Sequence, residues 1–193
     1  MREILEAAEI PVAYFDIDHF EDYLQMLSIC TDITGRKDLY EKNGLAVQRK
    51  IDAVRTGVSE HGLTDQERTV LLLRASSGFV KAKGSTGTIL GEMLQDLDCI
   101  NIADSDALLL ENLSVESVIR QNPQHIFVVT MGNDTEKALD NLEQMLTQNP
   151  AWGTLDAVQN GRLHVMERKM FNIKPNARWA ESYEILSEIL LRS

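Results

Sequence analysis

Two runs in this chain, Thr69 to Arg74 (TVLLLR) and His125 to Thr130 (HIFVVT), are apolar through their centres with no polar alternation. A strand with one face in water alternates between apolar and polar residues. A short run without alternation reads as a strand buried on both faces, as in a parallel sheet covered by helices. Stretches with helical spacing lie around both runs. Thr135 to Gln148, for example, presents Ala138, Leu142, Met145 and Leu146 before Asn149-Pro150 ends it. Strands separated by helices imply an α/β fold with a mostly parallel sheet flanked by helices.

The longest helical stretch runs from about Asp38 to Glu60. Leu39 and Tyr40 begin an apolar stripe that Val47, Ile51, Val54 and Val58 continue at helical spacing. At 1.5 Å per residue such a helix is roughly 34 Å long, about twice the globular average. It either lies across one domain or passes as a spine from one lobe to another. Gly44 falls inside it, where glycine costs about 1 kcal/mol relative to alanine.

The remaining elements follow from punctuation. Glu3 to Glu9 reads as the end of a helix and Ile10 to Phe15 (IPVAYF) as a strand. Asp18 and Glu21 form an N-cap pattern for a helix with Phe20, Tyr23, Leu24, Leu27 and Cys30 on one face, stopping at Gly35. The polar turn LTDQER precedes the first buried run, and Ser76-Ser77-Gly78 and a short run from Phe79 to Lys83 follow it. Gly84-Ser85-Thr86-Gly87 then leads into a helix from about Thr88 to Leu97. Ser114 caps a short helix that ends before Asn122-Pro123. Asn160-Gly161 is a turn before the strand Arg162 to Glu167, and a helix from about Ala177 to Leu191 closes the chain.

Charge narrows the function. Thirty acidic residues against 19 basic ones give a net charge of −11, which repels a phosphate backbone and argues against a nucleic-acid partner. No run approaches the roughly 18 apolar residues that cross a bilayer, and MREILEAAEI has no apolar core followed by a small-residue cleavage site. Cys30 and Cys99 have neither metal-ligand nor disulfide-scaffold spacing and read as ordinary buried thiols. His19, His61, His125 and His164 are scattered, with no HExxH spacing, and there is no GxSxG elbow. The expectation is therefore no catalytic residue and no metal site. Trp152 and Trp179 read as buried packing residues.

Open α/β sheets bind ligands at the carboxyl ends of their strands. The loops at Ser76 to Phe79, Met131 to Asn133 and Lys169 to Asn172 are the candidates. The segment Gly84 to Thr88 either offers backbone N–H groups to an anion at a helix N-terminus or is a tight turn capped by Thr86 or Thr88. It is not a Walker A loop, because no Lys-Ser or Lys-Thr follows its second glycine. Glu116 stands at the second position of a capped helix, where a carboxylate favours the helix dipole and is usually exposed.

The order of these pieces carries a resemblance. The long helix, strand and GSTGT helix are followed by LSVESVIRQNPQHIFVV, NPAWGTLDAVQNGRLHVM and FNIKPNARWAESYEILSEIL. Together they resemble the C-terminal part of ABC-transporter substrate-binding proteins of the helical-spine class (class III), which capture ferric siderophores, haem and cobalamin. The resemblance implies two α/β lobes joined by the long helix, with ligand in the cleft between them. On that reading residues 1–16 are a remnant of the N-terminal lobe, 17–62 are connecting helices including the spine, and 63–193 are the C-terminal lobe. It implies a receptor with no resident cofactor rather than an enzyme, working with ABC permease subunits and extracytoplasmic in its full-length form, periplasmic or lipid-anchored. Glu116 matches the glutamate that docks on permease arginines, with Glu111 a near neighbour. By position, Ser77, Phe79, Leu110, Met170, Phe171 and Lys174 are the implied cleft residues.

Ordinary members carry a signal sequence and a complete N-terminal lobe, whereas this chain begins near that lobe's last strand. A strand edge left open there offers a route to a homodimer. The alternatives are an enzyme of the metal-tetrapyrrole chelatase type, which has a comparable two-lobed α/β shape, and a stand-alone dimerising interaction module.

Overall fold

A computed structural model describes residues 2–192. Its centre is one sheet in the order β2-β1-β4-β5, made of β1 (Thr69–Ala75), β2 (Val80–Lys83), β4 (His125–Thr130) and β5 (Leu163–Met166). A short β3 (Ile100–Asn101) pairs with the start of β1. Every pairing is parallel except β1 with β2, which is an antiparallel hairpin. The two unalternating runs are β1 and β4, side by side, with Leu72 opposite Phe127 and Leu73 opposite Val128. All six residues of β4 are buried, as a central strand covered on both faces requires.

Strand alternation splits the core into two layers. Val70, Leu72, Phe127, Val129 and Met166 face one helical layer. That layer contains α2 (Phe20–Thr34), α4 (Ala46–His61), α5 (Ile89–Asp96), α10 (Arg168–Phe171) and α11 (Trp179–Leu191). Leu71, Leu73, Ala75, Ile126 and Val128 face the other. There the cover is α6 (Ala107–Asn112), α7 (Val115–Gln121), α8 (Thr135–Gln148) and α9 (Asp156–Gln159). Trp152 and Trp179 are fully buried, one in each layer. Residues 17–62 share the first core with the sheet, through Phe20, Tyr23, Val47, Ile51 and Val58.

The long helix is continuous but not uniform. A first turn, α3 (Lys37–Tyr40), passes through a π-helical segment at Glu41–Leu45 into α4. Gly44 lies within the π-helical segment. A Cβ there would lie 3.0 Å from Leu24 Cδ2 and 3.2 Å from Leu27 Cδ2, so its absence lets α2 cross closely. The Tyr23 hydroxyl donates to the Asn43 carbonyl within the widened turn, 3.2 Å away. Val47, Ile51 and Val58 are buried as the stripe predicts, and Val54 is partly buried.

Several local expectations are corrected. Residues 10–15 form no strand; after α1 (Arg2–Ala7) the chain runs without regular structure to Phe20, and Ile10, Val12 and Tyr14 are exposed. Apolar, β-branched composition makes a strand only where a neighbour offers a ladder, and none pairs with this segment. The cap of α2 lies one residue later than Asp18. His19 is the N-cap, and Asp22 accepts from the backbone N–H groups of both His19 and Asp18 at 3.0 Å. Gly35 ends that helix in the left-handed conformation, as expected. Cys30 is exposed rather than buried, because the buried side of α2 is set by Phe20, Tyr23 and Thr31; Cys99 is largely covered.

Candidate functional site

The carboxyl edge of the sheet is built by side chains that hold its loops. After β1, the Ser76 hydroxyl accepts from the N–H groups of Gly78 and Phe79, and Asn141 of α8 donates to the Ser76 carbonyl at 2.9 Å. After β4, Gly132 turns the chain at φ 93°, a conformation that favours glycine. Asn172 donates to the Thr130 carbonyl at 2.9 Å and so ties the segment after β5 to the end of β4. Ser77 and Phe79 are exposed on the β1–β2 hairpin.

The charge on the hairpin departs from the rest of this acidic chain. The β1–β2 register sets Arg74 opposite Lys81 and Leu72 opposite Lys83, which places all three cations on one face. Arg74 comes at the end of a strand that is otherwise apolar, and its Nε is buried without a partner. Burial draws its guanidinium below the ordinary arginine value. Lys81 Nζ stands 5.2 Å from the centre of the Phe79 ring, a cation–π distance. A hollow of about 460 Å³ opens beside this face, with Arg74, Lys83, Thr86, Thr88, Asp104 and Leu110 in its wall. Asp104 is its one acid, and that carboxylate already accepts from Ser85 N at 2.7 Å.

The GSTGT segment forms a rim of this hollow. Two of its N–H groups are taken internally, Ser85 N by Asp104 and Gly87 N by Glu92 Oε1 at 2.9 Å, and in the helix that follows Gly91 N donates to Thr88 Oγ1 at 3.2 Å. Thr88, rather than Thr86, caps α5. An anion here would meet side-chain cations.

Among the expected cleft residues, Leu110 is exposed and lines this hollow. Lys174 is partly exposed, with its Nζ 3.8 Å from Asp18 Oδ1. Met170 and Phe171 are a correction. They lie in the short helix α10, 1% and 2% exposed, packed in the first core with Trp179 and Phe20, and have no surface to offer a ligand in this chain. Arg74, Lys81 and Lys83 were missed, although alternation in VKAK already puts both lysines on one face. Glu116 is exposed in the first turn of α7, where Ser114 Oγ caps the helix and also donates to the Glu116 carboxylate at 3.1 Å. Among the described residues no group of histidine, cysteine and acid side chains has metal-site geometry, and no helix is long and apolar enough to cross a membrane.

Comparison with known proteins agrees with this architecture. A substrate-binding protein of an ABC transporter from Listeria monocytogenes matches with a TM-score of 0.78 at 17% identity, over 100% of this chain and 72% of that one. S. aureus IsdE complexed with heme gives 0.78 at 16% identity, over 98% and 72%. The periplasmic heme-binding protein RhuT from Roseiflexus gives 0.77 at 19% identity, over 99% and 70%. At these identities the likeness is one of fold. No curated protein matches the chain in sequence. The sequence profile of the periplasmic binding proteins, by contrast, matches residues 2–169, and together with the long helix and the mostly parallel sheet it establishes that this chain belongs to the periplasmic binding protein family.

Proposed function

We propose that this chain is the ligand-capturing component of an ABC importer for a ferric siderophore, haem or cobalamin-type ligand, and that it prefers members of that set carrying carboxylates or other anionic groups. The observation that carries the reading is the Arg74, Lys81 and Lys83 face beside an open hollow at the ligand-binding edge of an otherwise acidic protein. Leu110 in the wall of the hollow and Phe79 exposed on the hairpin are apolar and suit the body of a chelate or macrocycle, while the cations suit its periphery. Ser77 and Lys174 complete the set by position. The role is binding and delivery outside the cytoplasmic membrane, with no chemical step and no resident cofactor. Titration with haem, read by its Soret absorbance, tests the ligand class. Arg74→Gln is expected to weaken binding about tenfold through loss of one charge-assisted contact. Equal affinity of the parent and of Arg74→Gln would overturn the assignment of that face.

Glu116 is the proposed contact to permease arginines, supported by its exposure at the start of α7. Glu116→Ala should abolish ligand uptake in cells carrying the permease while leaving ligand affinity unchanged, and normal uptake would remove it from that role. The 1–16, 17–62 and 63–193 division belongs to the same reading. A second reading, self-association through the first segment, is favoured by the exposure of Ile10, Val12, Tyr14 and Phe15 within one short stretch. Sedimentation over a wide concentration range tests it, with a strictly monomeric species excluding it.

A further inference from the structure

The amino-terminal end of the sheet holds a different kind of site. There α11 closes over β4 and β5 and leaves a hollow of about 240 Å³, lined by His125, Arg162, His164, Ile189 and Arg192. It lies one strand length, roughly 20 Å, from the carboxyl edge. Four of its five lining residues carry imidazole or guanidinium groups and none carries a carboxylate. His125 is 1% exposed, and its Nδ1 lies 3.2 Å from His164 Nε2 in a stacked pair. One proton serves that contact, and it leaves the other nitrogen of His125, Nε2, buried with no partner among the described residues. Arg162 Nε is buried without a partner as well. Leaving such atoms unpaired costs about 1–3 kcal/mol each, so a shared acceptor at this hollow would relieve two penalties together. A metal cation would meet two guanidinium groups and is disfavoured.

We propose that this hollow binds a small oxyanion of the phosphate or sulfate type, held by Arg162, Arg192 and the Nε2–H of His125. His164 Nε2 donates to His125 Nδ1 and so fixes the tautomer that points a donor at the anion. The surrounding charges are Arg162 just before β5, His164 in β5, and Arg192 just after α11 with its partner Glu188 at 2.9 Å, and the Gln124 side-chain amide lies against Arg162. Burial, the neighbouring imidazole and Arg162 draw His125 down to about 4, and burial with Arg162 lowers His164. A bound anion opposes both effects, so binding tightens as the pH falls.

Sulfate is the probe, because its charge does not change over the range. It is titrated into the 193-residue chain at about pH 7.5 and about pH 5.5, followed by histidine ring resonances in NMR and by calorimetry. Saturable shifts of His125 and His164 are expected, with tighter binding at the lower pH. Arg162→Gln should weaken binding about tenfold, and Arg49→Gln, an exposed spine residue paired with Glu41, should leave it unchanged. Should Arg162→Gln not fold, Arg192→Gln at the exposed last turn makes the same comparison. Ring resonances that do not respond to sulfate, or a response equal in the parent and in Arg162→Gln or its replacement, would overturn the proposal.

Discussion

Replacing Gly91 with alanine should destabilise the protein, although alanine is the better helix former. Gly91 stands in the first turn of α5, against the GSTGT rim. A Cβ there would lie 2.3 Å from the Ser85 carbonyl oxygen, 2.4 Å from Thr88 Oγ1 and 2.7 Å from Ser85 Cα. Two of these are backbone atoms, so the loop itself has to move. It is tied by Asp104 to Ser85 N and by the Thr88 cap to Gly91 N. Helix propensity contributes about 1 kcal/mol in favour of alanine. Loss of the Thr88 cap costs about 1 kcal/mol and overpacking a further 1–3 kcal/mol or so. The net expectation is a loss of about 1–3 kcal/mol, read as a lower urea midpoint at unchanged slope. Gly57→Ala is the internal comparison, because Gly57 is exposed in α4 and a Cβ there meets nothing within 4 Å. That variant should gain about 0.5–1 kcal/mol. If Gly91→Ala matched or exceeded the parent while Gly57→Ala showed its gain, the rim would not be packed as described and its link to the ligand hollow would fail with it.

Other substitutions test separate contacts. Asp22→Ala should cost about 1 kcal/mol at neutral pH. The His19 and Asp18 N–H groups hold the Asp22 carboxylate below its ordinary value, so this contribution is present above 3.8 and fades as acid protonates the folded form; the gap between parent and variant in denaturation should close as the pH falls below 3.8. Tyr183→Phe removes a hydroxyl that donates to Asp96 Oδ2 at 2.5 Å and should lower stability by about 1–2 kcal/mol in a thermal melt, with no change in α11 packing. His125 is held neutral, with its value drawn from 6.5 down to about 4. The stability it protects is present above 6.5 and is lost as the pH falls towards 4, so His125→Phe should flatten the stability curve in that window; an unchanged slope would show that His125 does not titrate with unfolding.

The sheet was legible because burial on both faces leaves an unmistakable run, and TVLLLR and HIFVVT became adjacent parallel strands. Some caps and stops were legible from local chemistry: Gly35 and Ser114 act where the sequence puts them, whereas Thr86 and Thr88 were equal candidates and the cap of α2 fell one residue after Asp18. What failed depended on neighbours. IPVAYF has strand composition, but strand structure needs a ladder that another segment supplies, and here none does. Gly44 reads as a cost in an isolated helix and becomes a packing feature only once α2 crosses it.

The site shows the same division more sharply. Topology alone names the candidate edge, since parallel strands end together and their following loops must meet, and Asn172 holding the end of β4 is that meeting. Which side chains face outward is a different question, decided by the short helix α10. A four-residue helix gives no periodicity to read, so Met170 and Phe171 look like loop residues while their helix turns both into the core against Trp179. The cations behave in the opposite way. Arg74 closes an apolar strand and VKAK alternates, two weak signals that have no meaning apart; the hairpin register joins them by setting Arg74 against Lys81. The carboxyl edge is therefore fixed by the order of strands, but its side-chain chemistry is fixed by cross-strand pairing. On the proposed reading, the residues that set ligand charge are those that come together only when two segments are aligned.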